Sequence, residues 1–221
     1  MAARYALAGA SGLVGRALAT ALSANRDCIE LQLLLRRPVP ALAQLSQARV
    51  VSWQGGAVPP LGATDIALCA LGTTIKAAGS QQAFRAVDVD AVVGFAHAAR
   101  QAGARRFGLV SALGADPGSS VFYNRSKGEV EQAIAMMGFE CLVIARPSLL
   151  TGDRRAIGQP LRWGEAAAQA LATPLAWLTP LRWRPIHAEA VARALLSTLA
   201  TATPGVWRLE SDELQRRGRP T

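Results

Sequence analysis

The stretch Tyr5-Ala6-Leu7-Ala8-Gly9-Ala10-Ser11-Gly12-Leu13-Val14-Gly15 decides how the rest of the chain is read. A short apolar run meets a glycine turn, and Leu13 to Ala24 then continues with Leu18 and Leu22 on one helical face. Strand, glycine turn and helix in that order form a place for a pyrophosphate. Glycine lets the backbone turn tightly and approach the phosphates, which sit at the positive end of the helix. The spacing Gly-x-x-Gly-x-x-Gly differs by one residue from the Gly-x-Gly-x-x-Gly form and serves the same chemistry. Gly9, Ser11, Gly12, Leu13, Val14 and Gly15 are therefore the expected dinucleotide-binding residues. Glycines also serve plain turns, so the weight of the motif comes from its place at the head of an alternating chain.

That alternation runs outward from the loop. Strands are expected at Cys28 to Leu35, Arg49 to Trp53, Asp65 to Ala70, Phe107 to Ser111 and Glu140 to Ala145. Helices are expected at Gln81 to Ala102 and Tyr123 to Met137, each closed by a glycine. Strand and helix in turn imply βαβ units, and hence a doubly wound parallel sheet of the Rossmann kind in an α/β fold. After Pro147 the rhythm changes. Residues 148–185 carry Trp163, Trp177, Trp183 and several prolines, with a helix expected at Glu165 to Ala172. They read as a small substrate-side lobe on one domain spanning residues 1–221. A helix at Ile186 to Leu199, a strand at Gly205 to Glu210 and a frayed tail from Gln215 complete the pattern.

Composition narrows the class. Hydrophobic residues make up 51% and charged residues 18%, which excludes disorder for most of the chain. No apolar run reaches the length of a spanning helix, so no membrane partner is expected. The start shows no signal-peptide pattern. Cys28, Cys69 and Cys141 sit singly in apolar segments, which fits reduced thiols and a cytoplasmic location rather than a disulfide framework or a metal site. The net charge of +9 comes from scattered arginines with no basic recognition helix, so no nucleic-acid partner is expected.

Arg36 and Arg37 end the second strand, about 20 residues after Gly15, where an NAD site places Asp or Glu to accept from the ribose 2′-hydroxyl. A guanidinium pairs bidentately with a 2′-phosphate that an acid would repel. The expected cofactor is accordingly NADP rather than NAD.

The chain has 2 tyrosines, and of its lysines only Lys76 and Lys127. Chance would supply about 0.02 Tyr-x-x-x-Lys pairs, so Tyr123-Asn124-Arg125-Ser126-Lys127 is not coincidence. Positions i and i+4 share a helix face. An ammonium near a phenol favours the phenolate, which makes the tyrosine usable as a general acid or base. Ser111 closes the fifth strand. His97 reads as a satisfied or partly buried helix histidine, and His187 follows Pro185-Ile186 at the start of the last long helix.

With the glycine loop, Tyr123-x-x-x-Lys127 and Ser111 in hand, the chain resembles the short-chain dehydrogenase/reductases from about Tyr5 to Leu199. Cys69 to Ser80, Phe84 to Asp88, Leu109 to Pro117 and Arg146-Pro147-Ser148-Leu149-Leu150 are similar to the atypical, Tat-interacting-protein-like branch. The resemblance implies that Leu71, Gly72 and Thr73 run beside the adenosine ribose and that Pro147 belongs to the cofactor side. It also implies that Tyr123 protonates the substrate oxygen, that Lys127 orients the ribose, and that Ser111 polarises the carbonyl. Two departures stand out. The serine pair common after the fifth strand is Ser111-Ala112 here, and the asparagine common after the fourth strand is absent. The resulting expectation is an NADP-dependent oxidoreductase acting on a small carbonyl or alcohol, in a family where homodimers are common. The alternative is a non-catalytic NADP(H)-binding regulatory or scaffold protein.

Overall fold

A computed structural model of the protein describes residues 2–153 and 179–219. The chain opens with β1 (Ala3–Ala8), α1 (Leu13–Ser23) and β2 (Cys28–Leu35), followed by α2 (Pro40–Ala43), β3 (Ala48–Ser52) and β4 (Ile66–Cys69). Next come α3 (Ile75–Ala78), α4 (Gln81–Arg85), a π-helical turn (Ala86–Asp90), α5 (Ala91–Gln101) and β5 (Arg106–Val110). The sequence continues with α6 (Phe122–Ala135), β6 (Cys141–Arg146) and β7 (Leu150–Thr151). Beyond the undescribed stretch lie a 3-10 turn (Leu181–Trp183), β8 (Ile186–His187), α7 (Ala188–Thr201), β9 (Gly205–Glu210) and α8 (Ser211–Arg217).

Seven strands form one parallel sheet in the order β3-β2-β1-β4-β5-β6-β9. The doubly wound fold expected from the alternation is therefore present. Strand order reverses between β1 and β4, and the crevice beyond their carboxyl ends is where such sheets take ligands.

The period of two along the central strands divides the core. Tyr5 and Leu7 of β1 join Leu18, Leu22, Leu195 and Leu199 on the α1 and α7 face, whereas Ala6 and Ala8 join Phe95, Phe107 and Ile134 on the opposite face. Both faces of the sheet are thus covered, which is why β1, β4 and β6 are nearly continuous apolar runs. Gly108 of β5 has no room for a side chain. A Cβ there would lie 2.7 Å from Leu68 and 2.9 Å from Leu199.

Three expectations are corrected. The helix expected over Gln81 to Ala102 is interrupted by the π turn, which widens the spiral by one residue and contains the buried Asp88. The helix expected from Ile186 starts at Ala188, because Ile186 and His187 pair with Leu150 and Thr151 as a separate two-stranded ladder. Residues 215–219 of the tail are not frayed. α8 buries Leu214, Gln215 donates to the Leu181 carbonyl at 2.7 Å, and Arg193 of α7 donates to the Gly218 carbonyl at 2.9 Å. Of the lobe at residues 148–185, the helix at Glu165 to Ala172 and both Trp163 and Trp177 lie outside the described residues. Trp183 is exposed.

Candidate nucleotide-binding and catalytic site

The glycine loop crosses from the end of β1 to the start of α1. Gly9 has φ 87°, a left-handed conformation that disfavours any side chain, and a Cβ there would overlap the Ala70 carbonyl group and approach the Leu71 nitrogen to 2.6 Å. The loops after β1 and β4 thus touch at the switch point. Gly15 lies in the first turn of α1, where a Cβ would overlap the Gly9 carbonyl. These two glycines are required by the fold itself.

Gly12 is different. Its φ of −83° is ordinary, and the nearest atom to an added Cβ is the Gly9 oxygen at 3.4 Å. Nothing in the packing forbids a small side chain there. A glycine at 12 instead leaves the backbone open to a ligand approaching from outside the sheet. Gly12 is also the N-cap of α1, with no side chain capping the helix, so the amides of Leu13, Val14 and Gly15 remain at its positive end. The side chains of Leu13 and Val14 are buried in the core, so only their backbones face the crevice, while Ser11 is exposed. The loop fits the pyrophosphate of a dinucleotide.

Lys127 comes to the same place from α6. Its ammonium is buried and pairs with Asp88 of the π turn at 2.7 Å. The other Asp88 oxygen accepts the Thr73 amide at 2.7 Å, and a Cβ on Gly72 would lie 3.8 Å from the Lys127 nitrogen. The structure therefore brings Gly9, Leu71, Gly72, Thr73 and Lys127 into one continuous contact. Burial alone would push the Lys127 ammonium down, but Asp88 and Tyr123 outweigh it and its pKa is raised.

Tyr123 is half-buried one helical turn before Lys127. Its ring tilts against Phe84 at 5.7 Å between centroids, and the Lys127 nitrogen lies 6.0 Å from the ring centre. Gly128 lets the loop before α6 close over this turn, because a Cβ there would overlap the backbone at Asp116 and Pro117. The Asp116 amide donates to the Asn124 carbonyl at 3.0 Å and pins the same contact.

Ser111 is buried just beyond β5, and its hydroxyl donates to Glu131 at 2.6 Å. Glu131 lies one turn beyond Lys127 on α6 and is itself gripped by Arg146 at 2.6 Å, which also reaches Glu210 at 3.0 Å. A hydroxyl has one proton. Ser111 gives its proton to this carboxylate, and polarising a substrate would require that bond to exchange. Pro147 is buried after β6, with its carbonyl accepting the Leu113 amide at 2.9 Å. Arg36 and Arg37 stand exposed at the carboxyl end of β2. His97 is exposed on α5, against the satisfied position expected for it, and His187 is exposed in β8.

Sequence reading missed Asp88 and Glu131. Both carried a signal. Asp88 falls four residues after buried Phe84 and four before buried Val92, so an acid occupies an apolar stripe. Glu131 extends the Tyr123–Lys127 spacing by one more turn along the same face.

No protein-family model matches the chain. A search of curated proteins finds the mitochondrial protein Fmp52 of Emericella nidulans, 35% identical over 181 residues, spanning 78% of this chain and 76% of the relative. The Fmp52 of Candida albicans is 31% identical over 153 residues, 66% of this chain and 67% of that protein. The chain belongs to the Fmp52 family. These relatives are named as mitochondrial, which overturns the cytoplasmic location expected from the cysteines. Buried thiols report a reducing environment, and such environments are not confined to the cytoplasm.

Among solved structures, MoeE5 in complex with UDP-glucose and NAD superposes with a TM-score of 0.67 at 17% identity, covering 93% of this chain and 75% of that one. The UDP-N-acetylglucosamine 4-epimerase of Methanobrevibacter ruminantium gives 0.71 at 13% identity, covering 95% and 76%. Vestitone reductase from alfalfa gives 0.66 at 17%, covering 93% and 75%. At such identities the likeness is one of fold. It bears out the doubly wound nucleotide-binding fold that the resemblance to the short-chain dehydrogenase/reductases implies.

Proposed function

We propose that this Fmp52-family protein is a nicotinamide-nucleotide-dependent oxidoreductase that uses NADP and acts on a small carbonyl or alcohol. The observation that carries this reading is the meeting of Lys127 with Gly72 and Thr73 at the switch point, beside a loop whose Gly12 is left open to a ligand. Leu71, Gly72 and Thr73 line the adenosine side, and Pro147 closes the nicotinamide side. Gly12 and the amides of Leu13, Val14 and Gly15 take the pyrophosphate. When bound, the nicotinamide supplies or accepts the hydride. Lys127 donates to the ribose hydroxyls and holds positive charge near Tyr123. The Tyr123 hydroxyl gives a proton to the carbonyl oxygen in reduction and takes it from the alcohol in oxidation. Any part played by Ser111 in polarising that oxygen requires it to release Glu131.

Arg36 and Arg37 are exposed at the carboxyl end of β2, the strand end at which a ribose 2′-phosphate is expected. The native protein is expected to bind NADPH at least tenfold more tightly than NADH, about 1.4 kcal/mol. Arg36→Ala with Arg37→Ala should erase most of that preference. Equal affinities in a fluorescence titration of the native protein would end the assignment to NADP.

Ser111→Ala tests the third member of the site. Loss of a buried bond to a carboxylate should cost about 1.5–3 kcal/mol of stability. If Ser111 polarises the substrate, turnover also falls. An unchanged rate with lowered stability would leave the serine as a tie between β5 and α6. Absence of nucleotide binding altogether, with native folding shown by circular dichroism, would overturn the oxidoreductase reading.

The same bond supports a second reading, a protein that binds the nucleotide and regulates a partner without turnover. It predicts full nucleotide affinity and no oxidation of NADPH across a broad carbonyl panel.

A further inference from the structure

We propose that Asp88 is a positioning residue whose carboxylate keeps the buried Lys127 side chain charged and fastens it to the loop after β4. The inference rests on Lys127 serving the nucleotide, as argued above, but its central test needs no nucleotide.

Lys127 is almost wholly enclosed, with its side chain 6% exposed, and Asp88 is fully enclosed at 0%. An ammonium taken out of water is unstable unless an anion faces it. The groups that face Lys127 come from three elements. Asp88 approaches from the π turn at 2.7 Å, Tyr123 lies one turn back on α6, and Cys69 lies at the end of β4. Burial pushes the Cys69 thiol up to about 12, so it stays neutral. Among these groups Asp88 is the carboxylate, and it forms the ion pair with the lysine at 2.7 Å.

The carboxylate has a second duty. Its other oxygen accepts the Thr73 amide at 2.7 Å, so one side chain ties the lysine to the segment expected to run beside the adenosine ribose. Asp88 sits in the π turn on the buried side of the helix, between Phe84 and Val92 of the core.

The direction of the pH effect follows. With Asp88 in place the folded-state pKa of Lys127 is raised, so the ammonium persists to high pH. With Asp88→Asn the isosteric amide has no charge, burial acts unopposed, and the folded-state pKa falls below that of a free lysine. The variant's lysine is then charged only below its lowered pKa. Its defect grows as pH rises and shrinks as pH falls.

The chain has only two lysines, Lys76 and Lys127, and Lys76 is exposed on α3. Protein labelled with carbon-13 at lysine therefore gives two side-chain resonances, assigned through Lys76→Arg. In the native protein Lys127 should titrate above an ordinary lysine, and in Asp88→Asn it should titrate below one. NADPH binding by the variant should weaken roughly tenfold at pH 9 and much less at pH 6, whereas a purely structural role would give the same loss at both. If Asp88→Asn does not fold, Asp88→Asn with Lys127→Met removes both charges and should recover the fold.

A native Lys127 that titrates below an ordinary lysine overturns the proposal, as does a titration unchanged by Asp88→Asn. Failure of the double variant to fold where the single variant also fails does so too. Should the lysine shift as expected while no nicotinamide nucleotide binds, the oxidoreductase reading fails and the pairing of Asp88 with Lys127 stands.

Discussion

Tyr123→Phe is expected to lower turnover of an accepted carbonyl substrate by about 10²–10⁴-fold, the usual worth of a positioned acid. Nucleotide affinity should stay within about twofold. The change removes one hydroxyl and leaves the ring, whose contact with Phe84 is made by carbon atoms. Stability should therefore move little, and steady-state NADPH oxidation reads the difference. Full activity in the variant would remove Tyr123 from the chemistry. Lys127→Ala is a poorer probe of the same pair. It strands the Asp88 carboxylate in the interior, at a cost of about 3–5 kcal/mol, and confounds catalysis with folding.

Gly12→Val should abolish nucleotide binding, weakening it at least roughly 100-fold, or about 2.7 kcal/mol. The fold should survive, because an added Cβ at 12 meets only the Gly9 oxygen at 3.4 Å. The branched side chain would fill the space through which the backbone approaches the pyrophosphate. Gly15 gives the contrast. A Cβ there overlaps the Gly9 carbonyl, so even Gly15→Ala must move backbone and should cost about 1–3 kcal/mol of stability. Calorimetry and thermal melts on the two variants separate ligand approach from packing. A Gly12→Val protein with native melting and native NADPH affinity would place the pyrophosphate elsewhere.

Local pattern carried much of this fold. Cys28–Leu35 and Gly205–Glu210 are strands over the same bounds that their apolar runs and flanking turn residues imply. The glycine loop was legible because strand, turn and helix are contiguous, so spacing alone places the three glycines. What pattern could not show was which side chains meet from distant elements. Asp88 was read as part of one long helix, since a π turn leaves no mark in hydrophobic periodicity. Ser111 was legible as a residue at a strand end, yet its partner Glu131 lies 20 positions away and only tertiary packing joins them. The last turns of the chain, from Gln215, carry the composition of a frayed tail. Leu214, buried against α7, and Gly218, where a Cβ would overlap Ala190, decide otherwise.

The parallel sheet also sets an order in time. No strand of it reaches its neighbour through a hairpin, and β9 docks beside β6 only after the whole stretch from Pro147 to Pro204 has been made. Until then β6 presents an unpaired edge bearing Cys141, Val143 and Ala145, the kind of edge that recruits other strands. Arg146 meanwhile lacks Glu210, which arrives with the last residue of β9. A nascent chain emerging from the ribosome therefore carries a glycine loop and a Tyr123–Lys127 helix before it carries the strand that closes the sheet beneath them. Its period of greatest exposure to aggregation falls in the interval before Gly205–Glu210 is synthesised.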